Sequence, residues 1–124
     1  MVSHRDGSQA VLAGSHRLDG GLRVRVRLAR PGDQPLVANL LERLGFQPSQ
    51  SQLLDVMRFD PHRRVVVCAT ALVSGAERVV GFGAVDLQSR GAPATVVAEP
   101  EHGRELTALL RRGLRARARP SAAA

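Results

Sequence analysis

The order of apolar patterns along this chain predicts an α+β domain, a mainly antiparallel sheet flanked by helices. Leu22, Val24, Val26 and Leu28 alternate with Arg23, Arg25 and Arg27, a period of two that marks a strand with one buried face. Leu36, Val37, Leu40, Leu41 and Leu44 recur at helical spacing, as do Leu106, Leu109, Leu110 and Leu114 near the other end. Between these helices lie three apolar runs in succession, without the alternating helices of a doubly wound parallel sheet.

Met1–Gly20 is polar, carries Gly7, Gly14 and Gly20, and holds no sustained period, so it reads as a disordered leader. His4 and His16 within it read as solvated side chains. The first strand follows at Leu22–Leu28. Arg30-Pro31-Gly32-Asp33 is a turn, with Asp33 placed to cap the next helix and Pro35 tolerated in its first turn. Gly45 is placed to end that helix. A second helix is expected after Pro48-Ser49, with Leu53, Leu54 and Met57 on its inner face and Pro61 closing it.

Val65–Leu72 is apolar at successive positions, the pattern of a strand covered on both faces. Ser74-Gly75-Ala76-Glu77 predicts a hairpin connection returning through Val79–Val85. Gly81 and Gly83 inside that strand predict a bulge or a close backbone approach. After Ser89-Arg90-Gly91 comes the short strand Thr95–Ala98, and then the last helix, with Arg111, Arg112 and Arg115 off its apolar stripe. The predicted order is β-α-α-β-β-β-α. One domain is expected over 21–119, between the leader at 1–20 and a tail at 120–124.

All 18 basic residues are arginine, and they set a net charge of +7. Arg, Ala, Gly and Val are enriched together, which reads first as codon bias. A nucleic-acid partner would call for aromatic platforms, whereas Phe46, Phe59 and Phe82 all stand in apolar contexts, so composition weighs against it. The run Arg111–Arg119 reads as a solvated helix face near the negative end of the helix dipole. Cys68 is the single cysteine, inside an apolar run, and reads as a small buried hydrophobe in a reducing compartment. The histidines and Cys68 lack metal-ligand spacing, so no metal is expected. No run reaches membrane-spanning length and no signal-peptide core opens the chain, which predicts a cytoplasmic protein without a membrane partner.

This order of elements resembles the GNAT superfamily of acyl-CoA-dependent N-acetyltransferases. Val26-Arg27-Leu28-Ala29-Arg30-Pro31-Gly32-Asp33 is similar to the family's opening strand and first turn. Arg78-Val79-Val80-Gly81-Phe82-Gly83 is similar to its third strand, and Val96-Val97-Ala98-Glu99-Pro100-Glu101-His102 to its fourth strand and exit. The resemblance covers Leu22 to Arg117 and lacks the family's C-terminal strands. It implies acetyl-CoA as cosubstrate and an amine as acyl acceptor, joined by direct attack of the amine on the thioester. It also implies that Val96, Val97 and Ala98 line the pantetheine arm. His102, Gly103, Arg104, Glu105, Leu106 and Thr107 would then occupy the diphosphate loop, which in the family reads Gln/Arg-x-x-Gly-x-Gly/Ala. His102 stands at the first of these positions, while Glu105 and Thr107 replace the two small residues.

That replacement has a magnitude. A carboxylate about 5 Å from a phosphate charge costs roughly 3 kcal/mol at an effective dielectric near 20. This is on the order of a hundredfold in affinity. A carboxylate in the first turn of a helix also stabilises it through the dipole, so Glu105 fills the anion position with the protein's own charge. The chain has no tyrosine to protonate a leaving thiolate, and the segment before the fourth strand supplies no carboxylate base. Asp86 and Glu99 are the nearest substitutes, and neither is assigned as a general base. The sequence thus predicts a GNAT-type acetyltransferase domain with weak or silent catalysis. The alternative is a non-catalytic module that pairs through the open edge of Thr95–Ala98, with a second copy or a partner chain.

Overall fold

In the computed structural model, residues 15–49, 51–53, 63–87 and 94–118 are described. Five strands form one sheet in chain order: β1 (Ser15–Arg17), β2 (Arg23–Leu28), β3 (Arg64–Val73), β4 (Ala76–Asp86) and β5 (Thr95–Ala98). Every neighbouring pair is antiparallel. Helix α1 (Gln34–Arg43) lies between β2 and β3, and α2 (Gly103–Ala118) follows β5. Residues 51–53 are helical, where the second helix was predicted to begin, and its remainder, with Leu54 and Met57, falls outside the described residues. So do residues 1–14 of the predicted leader, the turn Ser89-Arg90-Gly91 and the tail beyond residue 118.

The α+β class with an antiparallel sheet is as the apolar patterns predict. Two boundaries differ. β4 begins at Ala76, inside the predicted connection Ser74–Glu77, because Ser74 and Gly75 alone make the turn. The other lies before β2. Ser15–Arg17 is a strand and Leu18 is buried, although the sequence reads as polar leader as far as Gly20. Three polar residues at a sheet edge leave no periodic signal, and pairing with Arg23–Arg25 supplies their structure. Gly20 and Gly21, both at positive φ, turn the chain between β1 and β2.

The two helices pack on opposite faces of the sheet. Leu106, Leu109, Leu110 and Leu114 of α2 join Val24, Val26, Val65, Val67, Ala69 and Val80 in one core. Val37, Leu40 and Leu41 of α1, with Leu53, join Val66, Cys68, Val79, Phe82 and Ala84 in the other. This explains why β3 is apolar at almost every position from Val65 to Val73, with Thr70 the exception, since alternate residues feed different cores.

Local signals are realised closely. Gly45 has φ 90°, its N–H bonds Glu42 O and that of Phe46 bonds Leu41 O, the paired hydrogen bonds that terminate a helix through a left-handed residue. Ser74 and Gly75, at φ 53° and 81°, join β3 to β4 as a two-residue hairpin whose twist suits the strands. Both expectations for the glycines of β4 hold. The register shifts by one residue, so that Ala69 faces Gly81 while Thr70 faces Val79, leaving Val80 as the extra residue of a bulge. A methyl group on Gly81 would lie 3.0 Å from Leu110 Cδ1, and one on Gly83 2.9 Å from Leu114 Cδ1. Bare backbone at these two points lets α2 seat deeply on β4.

Asp33 acts differently from a simple cap. It lies at the start of α1, but its side chain makes no capping bond to that helix. Instead the carboxylate turns back over the 3-10 turn Pro31–Asp33 and accepts the Arg30 N–H at 2.6 Å. It also takes a bidentate pair of hydrogen bonds from Arg27 Nη1 and Nη2, each 2.7 Å. Burial pushes the Asp33 carboxyl up, but the Arg27 guanidinium and the Arg30 N–H outweigh it and hold the group below its ordinary value. A buried carboxylate satisfied in this way fixes the exit of β2 against the entry of α1.

Candidate functional site

The residues singled out in sequence lie along one continuous path: β5, the residue Glu99, a 3-10 turn at Pro100–His102, and the first turns of α2. β5 is a terminal strand of the sheet. Gly81 faces Ala98, Phe82 faces Val97 and Gly83 faces Val96 across its inner edge. The Glu99 N–H bonds Val80 O at 2.9 Å, which fixes the alternation of the ladder. Residues 99, 97 and 95 therefore direct their main-chain groups at β4, and the N–H and C=O of Val96 and Ala98 point away from the sheet. The side chains go elsewhere. Val96 and Ala98 pack against the α2 core and Val97 against the α1 core. β5 thus offers only backbone hydrogen-bonding groups at its outer edge, the resource an extended guest requires.

The predicted diphosphate loop is already helical. His102 ends the 3-10 turn and Gly103 through Thr107 form the start of α2. The His102 N–H bonds Glu99 O at 3.2 Å, and the Gly103 N–H is taken by Pro100 O. Pro100 has no N–H to give. The chain therefore enters α2 with these donors committed internally, and the anion-cradling cluster of a free helix N-terminus is reduced. A methyl group on Gly103 would meet nothing within 4 Å, so glycine is not required there for close approach. Leu106 is fully buried in the core under α2 and presents no side chain to a ligand. Arg104 is exposed, and His102 and Thr107 are half-buried.

Glu105 is engaged. Both oxygens of its carboxylate accept the Asp19 N–H, at 3.0 and 3.2 Å, which ties the β1–β2 turn to the first turn of α2. The carboxylate at this position is therefore held by the protein's own backbone. Glu99 is committed as well, since its Oε2 lies 2.9 Å from Nη2 of Arg43, which also donates to Val79 O at 2.9 Å. This arginine links the end of α1 to both β4 and the exit of β5. Asp86 lies exposed at the far end of β4. Neither acid is arranged as a base in a cleft.

A larger concavity, of about 580 Å³, lies at the other side of the sheet, lined by Arg23, Arg25, Thr70, Leu72 and Glu77 among others. A smaller one, about 180 Å³, lies between Val85, Ala94 and the Arg111, Leu114 and Arg115 side of α2. The alternation along β2 already places its arginines on one face, to meet solvent or an anion with solvent the favoured reading, but the concavity over that face is a tertiary feature. Cys68 is fully buried and its thiol is pushed up to about 12, chiefly by that burial. Among the described residues no group of three or more His, Cys, Asp or Glu is arranged to hold a metal ion. Among them, too, no helix is long and apolar enough to cross a membrane. Comparison with family models, with curated proteins and with solved structures finds no match.

Proposed function

We propose that this chain is a GNAT-type N-acetyltransferase domain whose diphosphate position is filled by its own carboxylate, so that transfer of an acyl group from acetyl-CoA to an amine is weak or absent. The observation that supports the reading is the outward main chain of Val96 and Ala98, running through Pro100–His102 directly into α2. An extended pantetheine arm would hydrogen-bond along that edge, and its diphosphate would arrive at the first turn of the helix. There it would meet Glu105 bonded to Asp19, with Glu101, His102 and Arg104 nearby in sequence and Glu99 already paired with Arg43.

Titration calorimetry with acetyl-CoA tests this. The native chain is expected to show no saturation below the millimolar range, and Glu105→Gly/Thr107→Gly to gain roughly a hundredfold in affinity. Micromolar binding by the native chain would overturn the occlusion. A folded double variant that remains silent would overturn the coenzyme reading itself.

The same edge supports a second reading, a non-catalytic module that pairs β5 with a strand from a second copy or a partner chain. Sedimentation across a hundredfold range of concentration examines pairing between copies, and a constant monomer mass would exclude it.

A further inference from the structure

Independently of the β5 edge, we propose that the face of the sheet formed by Arg17, Arg23 and Arg25 is a docking surface for an extended acidic peptide segment. Val24 and Val26 turn into the α2 core, so Arg23, Arg25 and Arg27 project from the opposite face. Arg17 is the direct cross-strand partner of Arg23, and Arg25 stands between Ser15 and Thr70. Like charges directly opposed across a ladder destabilise it. Arg17, Arg23 and Arg25 are all exposed, and none forms an ion pair with another described residue.

The same row contains its own example of what an acid does there. Arg27, one step along β2, is met by Asp33 in a bidentate pair at 2.7 Å and by Glu77 at 3.5 Å. Arg23 and Arg25 offer the same fork, and among the described residues no acid fills it. The cavity of about 580 Å³ lies over these two side chains, and it is bordered by Leu72, an apolar residue 74% exposed. Glu77, the acid on its margin, is the one already engaged by Arg27.

The spacing selects the occupant. Alternate residues of a strand recur about every 6.8 Å, so the two guanidiniums match carboxylates on alternate residues of an extended peptide laid along β2. Leu72 gives such a peptide one apolar contact. Single-stranded nucleic acid would call for aromatic platforms, and among the described residues none lines this cavity, in a chain that has neither Trp nor Tyr.

The test is fluorescence anisotropy with a fluorescein-labelled hexaglutamate peptide and the full chain at low salt. Arg23→Gln/Arg25→Gln is expected to weaken binding by about tenfold or more, through loss of two charge-assisted forks. Arg111→Gln/Arg112→Gln, which removes the same charge from the exposed side of α2, is expected to leave binding within about twofold. Circular dichroism confirms that both variants are folded, which the exposure of all four side chains favours. Equal weakening by the two variants would reduce the effect to net charge and overturn the proposal, as would failure of the peptide to bind. Tighter binding of a single-stranded oligonucleotide of the same charge, sensitive to the same two arginines, would replace the peptide with a nucleic acid and overturn it too.

Discussion

The carboxylate of Glu105 grips the backbone N–H of Asp19 through both oxygens, joining positions 86 residues apart in the chain. It joins the β1–β2 turn to α2 and fastens an edge hairpin to the helix beneath it. Glu105→Gln keeps the shape and removes the charge. It should cost about 1 kcal/mol, because a partly exposed charge-assisted bond is replaced by a weaker neutral one. Thermal denaturation of the two proteins measures this, and a drop of roughly 4 °C in Tm is expected.

Asp33 should give stability a distinct acid limb. Its carboxyl is held below the ordinary value of 3.8, so it contributes most above that pH and loses its contribution as pH falls through the lower folded value. Asp33→Asn removes the charge opposite Arg27 and should destabilise the fold by about 2 to 3 kcal/mol at neutral pH. Urea unfolding from pH 7 down to pH 2 should show a steeper loss for the native chain than for the variant. Parallel curves would show that Asp33 does not titrate with folding.

The two glycines under α2 should respond unequally to alanine. At Gly83 the added methyl meets the end of the Leu114 side chain at 2.9 Å, which can rotate away. At Gly81 it meets Leu110 Cδ1 at 3.0 Å and the backbone oxygen of Val97 at 3.1 Å, and the second contact lies within the β4–β5 ladder. Gly81→Ala should therefore cost about 2 kcal/mol or more, and Gly83→Ala less, in the range of overpacked sites. Urea midpoints for the pair decide the ordering.

Cys68 should be inert in the folded chain. It is fully buried between β2 and β4, and burial pushes its thiol up to about 12, so the reactive thiolate is absent at neutral and moderately alkaline pH. Labelling with an aromatic disulfide reagent should proceed only as fast as the protein opens, and sub-denaturing urea should speed it. Rapid stoichiometric labelling in native buffer would contradict the buried placement.

Much of this architecture was legible from local patterns, because each pattern reports a face. Val24 and Val26 of the alternating strand, Val37, Leu40 and Leu41 of the first helical pattern, Leu106, Leu109, Leu110 and Leu114 of the last, and the run Val65–Ala71 are all buried, whereas Leu72, read as part of that run, is exposed. β1 was not legible, since Ser15, His16 and Arg17 owe their strand to a partner and not to hydrophobic period. The candidate site divides in the same way. A carboxylate in the first turn of a helix can be read from sequence, but its bond to Asp19 is a tertiary fact. The arginine face was in plain view as a period of two. Its significance depends on Arg17 arriving opposite Arg23, which again only pairing reveals.

The outer side of β5, which pairs with no other strand among the described residues, carries one further consequence. Val96 and Ala98 hold a single row of donors and acceptors, and a row of that length has room for one guest. A thread-like cofactor and a neighbouring strand would thus be rivals, and self-association would be titrated away by whichever small molecule occupies that rim.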